Sequence, residues 1–119
     1  FLEKMIKRTI ISKLKEGRIM YGFYLCNFKN IKYSKNEKIF LDITLSDHSG
    51  VINAKLWENV NLFSKRFNAG DFVAVKGKPL TYYNKIYINI FSIKRAEKHI
   101  FSDYGFQSFI KNNDHKKIL

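Results

Sequence analysis

The stretch that most constrains the fold runs from Lys38 to Trp57 and has the pattern of two β-strands joined by a tight turn. In both halves apolar residues alternate with polar or aromatic ones, as expected for strands with one face in a core. The inward set predicted by this alternation is Ile39, Leu41, Ile43, Leu45, Ile52, Ala54 and Leu56. Between the halves, Asp47-His48-Ser49-Gly50 has turn composition, and we expect a positive φ at Gly50. The other face would present Phe40, Thr44, Asn53, Lys55 and Trp57.

One long strand is predicted before this hairpin and one short helix after it. Residues 18–33 are rich in β-forming residues, and Gly22 inside them predicts a bulge or sharp bend. A long bent strand is what a small closed barrel needs if that strand is to serve both of its sheets. After Trp57, a helix capped by Asn59 and stopped by Ala69-Gly70 would bury one apolar side. That side consists of Val60, Phe63 and Phe67.

Two further strands follow the predicted helix. Residues 71–80 alternate again, with a bulge expected at Gly77, and Pro79 indicates a sheet edge. The core candidates in this strand are Phe72, Val73 and Val75. The fifth strand is predicted over residues 86–93, with Ile88, Ile90 and Ile93 inward and Tyr87 and Asn89 outward.

The element order is therefore β-β-β-α-β-β, which is all-β with one short helix. It predicts a five-stranded OB-fold, a Greek-key barrel, over residues 17–96. Residues 1–16 form an N-terminal lead-in, either a short helix or extended. Residues 97–119 are a C-terminal tail that either packs on the barrel or links to a missing domain. In that tail Asp103 is a candidate cap for a helix carrying Phe106, Phe109 and Ile110.

The charge balance points to a polyanionic partner. Lysine and arginine total 22 against 10 acidic residues, a net charge of +12, which favours nucleic acid before a membrane surface. The alternative is that the whole proteome is rich in Lys and Asn, so that the positive charge reflects general composition and not a binding partner. No apolar run approaches the roughly 20 residues of a membrane span. Cys26 is the only cysteine, so no intrachain disulfide can form, and we expect a cytoplasmic protein. A chain beginning at Phe1 suggests a fragment or a processed product.

No catalytic or metal-binding pattern stands out. His48, His99 and His115 are scattered, and Asp47-His48 lies in the predicted turn without a partner cluster. There is no glycine-rich phosphate loop and no activated nucleophile. We therefore predict no cofactor and no metal, and no enzymatic activity for this chain itself.

Binding chemistry is present where such a barrel would use it. OB-folds hold single strands on strands two and three and on the loops after strands one and four, by aromatic stacking and phosphate neutralisation. The predicted nucleic-acid-binding residues are Tyr33, Lys35, Phe40, Asn53, Lys55, Trp57, Lys76, Lys78, Tyr82, Tyr83, Lys85 and Tyr87. Alternatively, Trp57 plugs the barrel beside the helix, and Tyr82 and Tyr83 only pack their loop.

Three segments resemble one known family. They are GFYL at residues 22–25, FLDITLSDHSGVINAKLW at residues 40–57, and FNAGDFVAVKG at residues 67–77. Together they are similar to the N-terminal OB domain of the YhaM-type 3′–5′ exoribonucleases. The matching positions are Leu41, Ile43, Leu45, Asp47, Gly50, Ile52, Ala54, Lys55, Trp57, Gly70, Asp71 and Val73. The resemblance covers residues 10–96, and family members often have Gln where this chain has Tyr87.

The resemblance implies a substrate-capture domain. In that family the barrel precedes a metal-dependent HD phosphohydrolase domain and holds single-stranded RNA or DNA for degradation. The expected partners are therefore single-stranded RNA or DNA and a C-terminal catalytic domain in the parent chain, with no membrane. Two alternatives stay open: a tRNA anticodon-binding OB domain, and a protein-interaction or oligomerisation module that forms a homo-oligomer.

Overall fold

The computed structural model describes residues 8–96, which form a closed barrel of five strands. Residues 1–7 of the predicted N-terminal lead-in and the whole predicted C-terminal tail lie outside these residues. A 3-10 turn, Ile11–Lys13, precedes the barrel. The strands and the helix are β1 (Met20–Tyr33), β2 (Ile39–Asp47), β3 (Gly50–Leu56), α1 (Val60–Ser64), β4 (Phe72–Tyr82) and β5 (Lys85–Arg95). The barrel order β1-β2-β3-β5-β4 confirms the predicted fold.

The long first strand closes the barrel by pairing on both sides. Its first half pairs with β4 from Met20 to Leu25, and its second half pairs with β2 as far as Tyr33. The register shift that bends β1 lies between Cys26 and Phe28, so the bulge predicted at Gly22 is wrong. The remaining seam is a short parallel pairing of β3 with β5. This seam brings the end of the central hairpin next to the β4–β5 hairpin.

Gly22 has a different role from the one predicted. The buried Tyr24 hydroxyl lies directly over it, where a Cβ would collide, and donates a hydrogen bond of 2.7 Å to the carbonyl oxygen of Thr9. Burial, and secondarily the charge of Asp47, raises the pKa of Tyr24 above its ordinary value, so the hydroxyl stays protonated. Glycine is needed here because the Tyr24 hydroxyl and the N-terminal segment approach its backbone closely.

The alternation in the hairpin predicted the core correctly. Of the seven inward residues only Ile39 is partly buried; the others are buried in the barrel core. The predicted inward residues Val73, Val75, Ile88, Ile90 and Ile93 are also buried. Phe72 was predicted to be a core residue, but it is only half-buried at the start of β4 and lies outside the core cluster.

A carboxylate, and not a glycine, shapes the β2–β3 turn. Gly50 has no positive φ, contrary to the prediction. Instead the buried Asp47 carboxylate accepts hydrogen bonds from the Ser49 backbone N–H at 2.7 Å and the Ser49 hydroxyl at 2.6 Å. Its other oxygen accepts from the Ile11 N–H at 2.9 Å. The same side chain therefore fixes the turn and anchors the N-terminal segment, whose Ile11 and Leu14 pack against the core.

The helix begins as predicted but ends early. Asn59 precedes it with φ 54°, yet its side chain makes no capping hydrogen bond. The helix stops at Ser64 and not at Ala69-Gly70. The Lys29 ammonium donates to the carbonyl oxygens of Ser64 and Phe67 at 2.5 and 2.8 Å, so it satisfies acceptors beyond the last turn. The predicted apolar side of the helix is buried nonetheless.

The fourth strand has the two irregularities that its sequence predicted. Its pairing with β5 shifts register between Lys76 and Gly77, which confirms the bulge. The last residue of β4 that pairs with β1 is Gly77, opposite Met20. Pro79 lies beyond this pair, so its missing N–H breaks no backbone hydrogen bond to β1. Its carbonyl oxygen accepts from the Gly17 N–H at 2.8 Å. The far end of β4 thus projects past β1 as one arm of the β4–β5 hairpin.

Candidate nucleic-acid interface

Two aromatic rings stack on the outer face of the central hairpin. Phe40 lies on the outward register of β2 and Trp57 follows the end of β3, with ring centroids 4.3 Å apart and an interplanar angle of 26°. Trp57 is half-buried and is not part of the core cluster, so the interpretation of it as a barrel plug is wrong. Phe40 is only 8% exposed. Trp57 is therefore the ring a ligand can reach, and Phe40 supports it from below.

Two lysines flank this stacked pair. The Lys55 ammonium lies 5.1 Å from the Phe40 ring centroid, and the Lys38 ammonium lies 5.7 Å from that of Trp57. At these distances a cation is attracted to the ring face. The arrangement places one positive charge near each ring of the aromatic platform, within reach of the phosphates of a stacked nucleotide.

One carboxylate organises the polar side chains next to the platform. Asp42 accepts from Lys32 at 2.8 Å and from the Asn53 amide at 2.7 Å, with Lys55 at 3.7 Å. Burial raises the pKa of Asp42, but hydrogen bonds from Lys32 and Asn53 and the charges of Lys55 and Lys32 outweigh it, so the pKa lies below its ordinary value. Asp42 is therefore ionised at neutral pH, and an incoming phosphate must compete with it for Lys55.

A groove beside the platform contains half of the other predicted residues. We call it the β3 groove; it measures about 770 Å³ and runs between the N-terminal segment, β3 and the β4–β5 hairpin. Its lining comprises Ile11, Ser12, Leu14, Val51, Ile52, Asn53, Lys55, Tyr82, Lys85, Ile86 and Tyr87. Parallel pairing of Asn53 with Tyr87 brings the two strands of its floor together. The groove thus contains five of the predicted binding residues: Asn53, Lys55, Tyr82, Lys85 and Tyr87.

The tip of the β4–β5 hairpin carries an exposed aromatic on a strained backbone. Tyr83 and Asn84 have φ of 49° and 62°, which defines a type I′ turn between the paired Tyr82 and Lys85. Asparagine tolerates this conformation, whereas a bulky residue there is an outlier. Tyr83 is 83% exposed, and its ring contacts that of Tyr82 at 4.4 Å. Because the strained backbone conformation occurs at an exposed aromatic residue, it favours a binding role for Tyr83.

Replacing Tyr83 with asparagine is expected to separate binding from stability. Asn-Asn suits a type I′ turn better than Tyr-Asn, so the melting temperature should rise or stay unchanged. Affinity for a single-stranded oligonucleotide should fall several-fold, because one stacking surface is lost. Thermal unfolding and fluorescence anisotropy measure the two effects, with Tyr82→Asn as the comparison outside the strained position. A lower melting temperature with unchanged affinity would assign Tyr83 to loop packing.

The remaining predicted residues divide between two sides of the barrel. Tyr33 and Lys35 are exposed around the β1–β2 loop, at the end of β2 that carries Phe40. Lys78 on β4 pairs with Asn89 on β5, and Asn89 pairs with Lys55 on β3. Lys78 and Lys55 therefore lie on one row across the sheet. Lys76 does not join them. It lies between Tyr21 and Ser92, on the wall formed by β1, β4 and β5.

Three parts of the site were missed by sequence reasoning. The Asp42 cluster was detectable, because Asp42 lies on the outward register of β2 opposite Lys55. The N-terminal wall of the groove was not, since no local pattern marks Ile11 and Leu14 as neighbours of β3. The apolar lining residues Val51 and Ile86 were overlooked because attention was given to aromatic and basic types.

Residues 8–96 contain no cluster of three or more His, Cys, Asp or Glu side chains placed to hold a metal ion. Within the same residues, no helix has the length and hydropathy needed to cross a membrane.

A closed five-stranded barrel with its helix between β3 and β4 is an OB-fold. Residues 27–96, more than half of the chain, match the tRNA_anti-codon family, described as an OB-fold nucleic acid binding domain. The chain belongs to this family of nucleic-acid-binding domains.

Solved structures share the same barrel at low sequence identity. The second OB-fold domain of replication protein A from Methanococcus maripaludis superposes with a TM-score of 0.61 and 22% identity, covering 77% of this chain and 97% of that one. Asparaginyl-tRNA synthetase from Pyrococcus horikoshii gives 0.62 and 14%, covering 78% of this chain but 23% of the synthetase. A replication protein A heterotrimer bound to single-stranded DNA gives 0.57 and 11%, covering 85% and 80%. These likenesses establish the fold.

Proposed function

We propose that this domain binds single-stranded nucleic acid, RNA in particular, across the Phe40–Trp57 platform and the β3 groove. The observation that carries the proposal is the stacked pair with a lysine near each ring, on the hairpin face next to an open groove. Stacking on aromatic rings and neutralisation of phosphates are the two terms that hold single strands on OB-folds. Membership in a family of nucleic-acid-binding domains supports this assignment.

The face suits an unpaired base better than a duplex. A base can stack on Trp57 only if it is splayed out of a helix, since paired bases keep their faces covered. Exposed Tyr33 and Tyr83 stand on the two loops that border this face, 69% and 83% exposed. Successive bases of one strand can therefore use successive rings, while the lysines between them contact phosphates without reading sequence.

The parent protein we propose is a 3′–5′ exonuclease of the YhaM type, acting in the cytoplasm. The matching segments of the hairpin and of β4 support this, and they coincide with the platform and with the start of β4. In that arrangement the barrel captures the substrate strand and a C-terminal HD domain cleaves it. The domain contributes affinity and orientation, and the chemistry belongs to the catalytic domain.

Fluorescence anisotropy of the domain with labelled oligo-U, oligo-dT and a duplex, across a salt series, tests the proposal. We expect single-strand binding whose log K falls with log salt at a slope of about −0.7 per phosphate contact. Preference for oligo-U over oligo-dT would support the exoribonuclease assignment. Absence of binding at low salt would overturn the proposal and leave the charge of +12 as a general property of the proteome.

Two other functions would give different experimental results. A tRNA anticodon-binding domain should prefer a structured tRNA over plain oligonucleotides. The structural similarity to asparaginyl-tRNA synthetase is a reason to include a tRNA in the anisotropy experiment. A homo-oligomerisation module should bury the Phe40–Trp57 surface in a symmetric dimer. Analytical ultracentrifugation would then show a dimer that Trp57→Ala dissociates.

Replacing Asp42 with asparagine is expected to strengthen binding. Removing this charge releases Lys32 and Lys55 for phosphate, so affinity should rise several-fold and the salt slope should steepen by about 0.7 to 1.4. Glu16→Gln removes the same charge from an exposed position outside the groove and should change neither value. Weaker binding with an unchanged slope would instead make Asp42 a positioning residue for Asn53.

The same substitution should alter the stability of the domain in acid. A lowered pKa in the folded state means that Asp42 contributes stability above its unfolded pKa of about 3.9, and loses it as pH falls through the folded value. Wild-type protein should therefore lose this contribution below about pH 4, whereas Asp42→Asn should lack that part of the pH dependence. Urea unfolding of both proteins at pH 7 and in acid measures the difference.

A further inference from the structure

A second concavity lies on the barrel wall away from the platform. It measures about 400 Å³ and shares no lining residue with the β3 groove. Its lining comprises Tyr21, Phe63, Arg66, Ala74, Val75, Lys76, Ser92, Ile93 and Lys94. Three of these side chains are cationic, and none of the lining residues in the described part of the chain is acidic. We call it the second concavity.

The sheet register builds this concavity with small residues in the floor and cations at the rim. Lys76 pairs with Ser92, and Ala74 pairs with Lys94, so the two lysines stand diagonally across β4 and β5. Residues in such diagonal positions are within reach of a common ligand. Ala74 and Ser92 leave space between them, and Ser92 adds a hydroxyl donor.

Arg66 provides the third cation from outside the sheet. It follows α1, and its guanidinium lies 5.2 Å from the ring centroid of the buried Phe63. Packing on a ring orients a guanidinium and leaves its in-plane N–H groups available for phosphate oxygens. Tyr21 closes the rim on the β1 side. Cations from β4, from β5 and from the segment after α1 thus surround a floor of small side chains, which suits the phosphates of a nucleic-acid backbone.

The second concavity lies within reach of a strand held in the β3 groove. Both use β5: the groove ends at Tyr87, while the second concavity starts at Ser92. The two stretches are centred on Ile86 and Ile93, so at 3.3–3.4 Å per residue their centres are about 23 Å apart along the strand. About seven nucleotides cover that distance at the per-strand phosphate spacing of a duplex. Single-stranded sites on OB-folds extend over roughly 4–16 nucleotides, which is enough to include both.

We propose that the second concavity holds the backbone phosphates of the same strand that the β3 groove binds, extending its path around the barrel. This inference rests on the proposed function. Because its floor offers no exposed aromatic ring, the second concavity contributes affinity without base stacking. It also explains why Lys76, predicted as a binding residue, lies apart from the other predicted residues.

Oligonucleotide length tests the inference. Anisotropy is measured with oligo-U of about 6 and about 18 nucleotides, the short one filling one site and the long one able to reach both. The variant is Lys76→Gln with Lys94→Gln, and the matched control is Lys15→Gln with Lys65→Gln, exposed lysines that line neither concavity. Wild-type protein should bind the long oligomer about tenfold more tightly, and the variant should lose that gain. Its salt slope for the long oligomer should be shallower by about 1.4, for two lost phosphate contacts.

The outcomes separate this inference from the proposed function. If the variant and the control bind the long oligomer equally while the short oligomer still binds, the second concavity is not used and the groove stands. If the short oligomer does not bind wild-type protein at all, the proposed function fails. Titration to two short oligomers per protein would show that the second concavity takes a separate strand, which overturns a shared path. Thermal unfolding confirms that both double variants remain folded.

Discussion

Replacing Trp57 with alanine is expected to weaken binding of a short single-stranded oligonucleotide about 10- to 100-fold, because stacking of one base on an aromatic ring contributes roughly 1–3 kcal/mol. Trp57 is the accessible member of the stacked pair, while Phe40 beneath it is 8% exposed. The substitution also removes the ring near Lys38, so that cation is held less firmly at the platform edge. Anisotropy with oligo-U at fixed salt measures the loss.

Two comparisons make this result specific. Trp57→Phe keeps a ring over Phe40 and should retain most of the affinity, whereas Trp57→Leu keeps apolar volume but should lose it. The salt slope should stay unchanged in all three variants, because stacking does not release counterions. If Trp57→Ala binds as tightly as wild type while remaining folded, the strand does not cross the platform, and the hairpin face is open to a protein partner instead.

The fold was predictable because the central hairpin is unambiguous. A period of two over both strands leaves one register that buries Leu41, Ile43 and Leu45, and a slip by one residue would expose all of them. Once that register is chosen, the order of the other elements leaves the OB-fold as the arrangement that closes the sheet. The helix end was less predictable, because the acceptor role of the Ser64 carbonyl depends on Lys29, 35 positions away in the chain.

Gly22 and Gly50 were poor guides to local structure, although the bulge at Gly77 was predicted correctly. Gly22 reads as a bend in sequence, yet what it provides is room for the Tyr24 hydroxyl to reach Thr9. Gly50 reads as the reversing residue of a turn, yet Asp47 does that work with its side chain. In both cases the local structure depends on a side chain other than the glycine, Tyr24 in one and Asp47 in the other. The conformational propensity of the glycine alone could not identify it.

The binding face was predictable in composition and only partly in geometry. Alternation correctly placed Trp57, Lys55 and Asn53 on one outer face, since register settles which side a residue occupies. It could not show that Asn53 and Lys55 are both engaged by Asp42. Nor could it show that Lys76 points to another wall, because the bulge at Gly77 and the curvature of the barrel separate it from Lys78.

Reversing the charge of two lysines on the proposed binding face is expected to have the largest effect on affinity. Lys85 lines the β3 groove, and Lys78 lies on the same cross-strand row as Lys55. Lys85 is exposed and Lys78 is half-buried on the outer face. Lys78→Glu with Lys85→Glu replaces two phosphate attractions by two repulsions, so affinity should fall by about 100-fold or more at low salt. Oligo-U anisotropy across a salt series measures both the loss and its recovery.

The choice of these two positions follows from the Asp42 cluster. Lys55 is the more obvious target on the same row, but Lys55→Glu would set a second carboxylate beside Asp42, in place of an ammonium 3.7 Å away. Any loss of binding there would mix repulsion of phosphate with a disturbed β2–β3 pairing. Lys15→Glu with Lys65→Glu gives the same change in net charge at exposed positions outside both concavities. If that control pair loses as much affinity as the Lys78–Lys85 pair, binding is a response to overall charge, and the β3 groove is not its site.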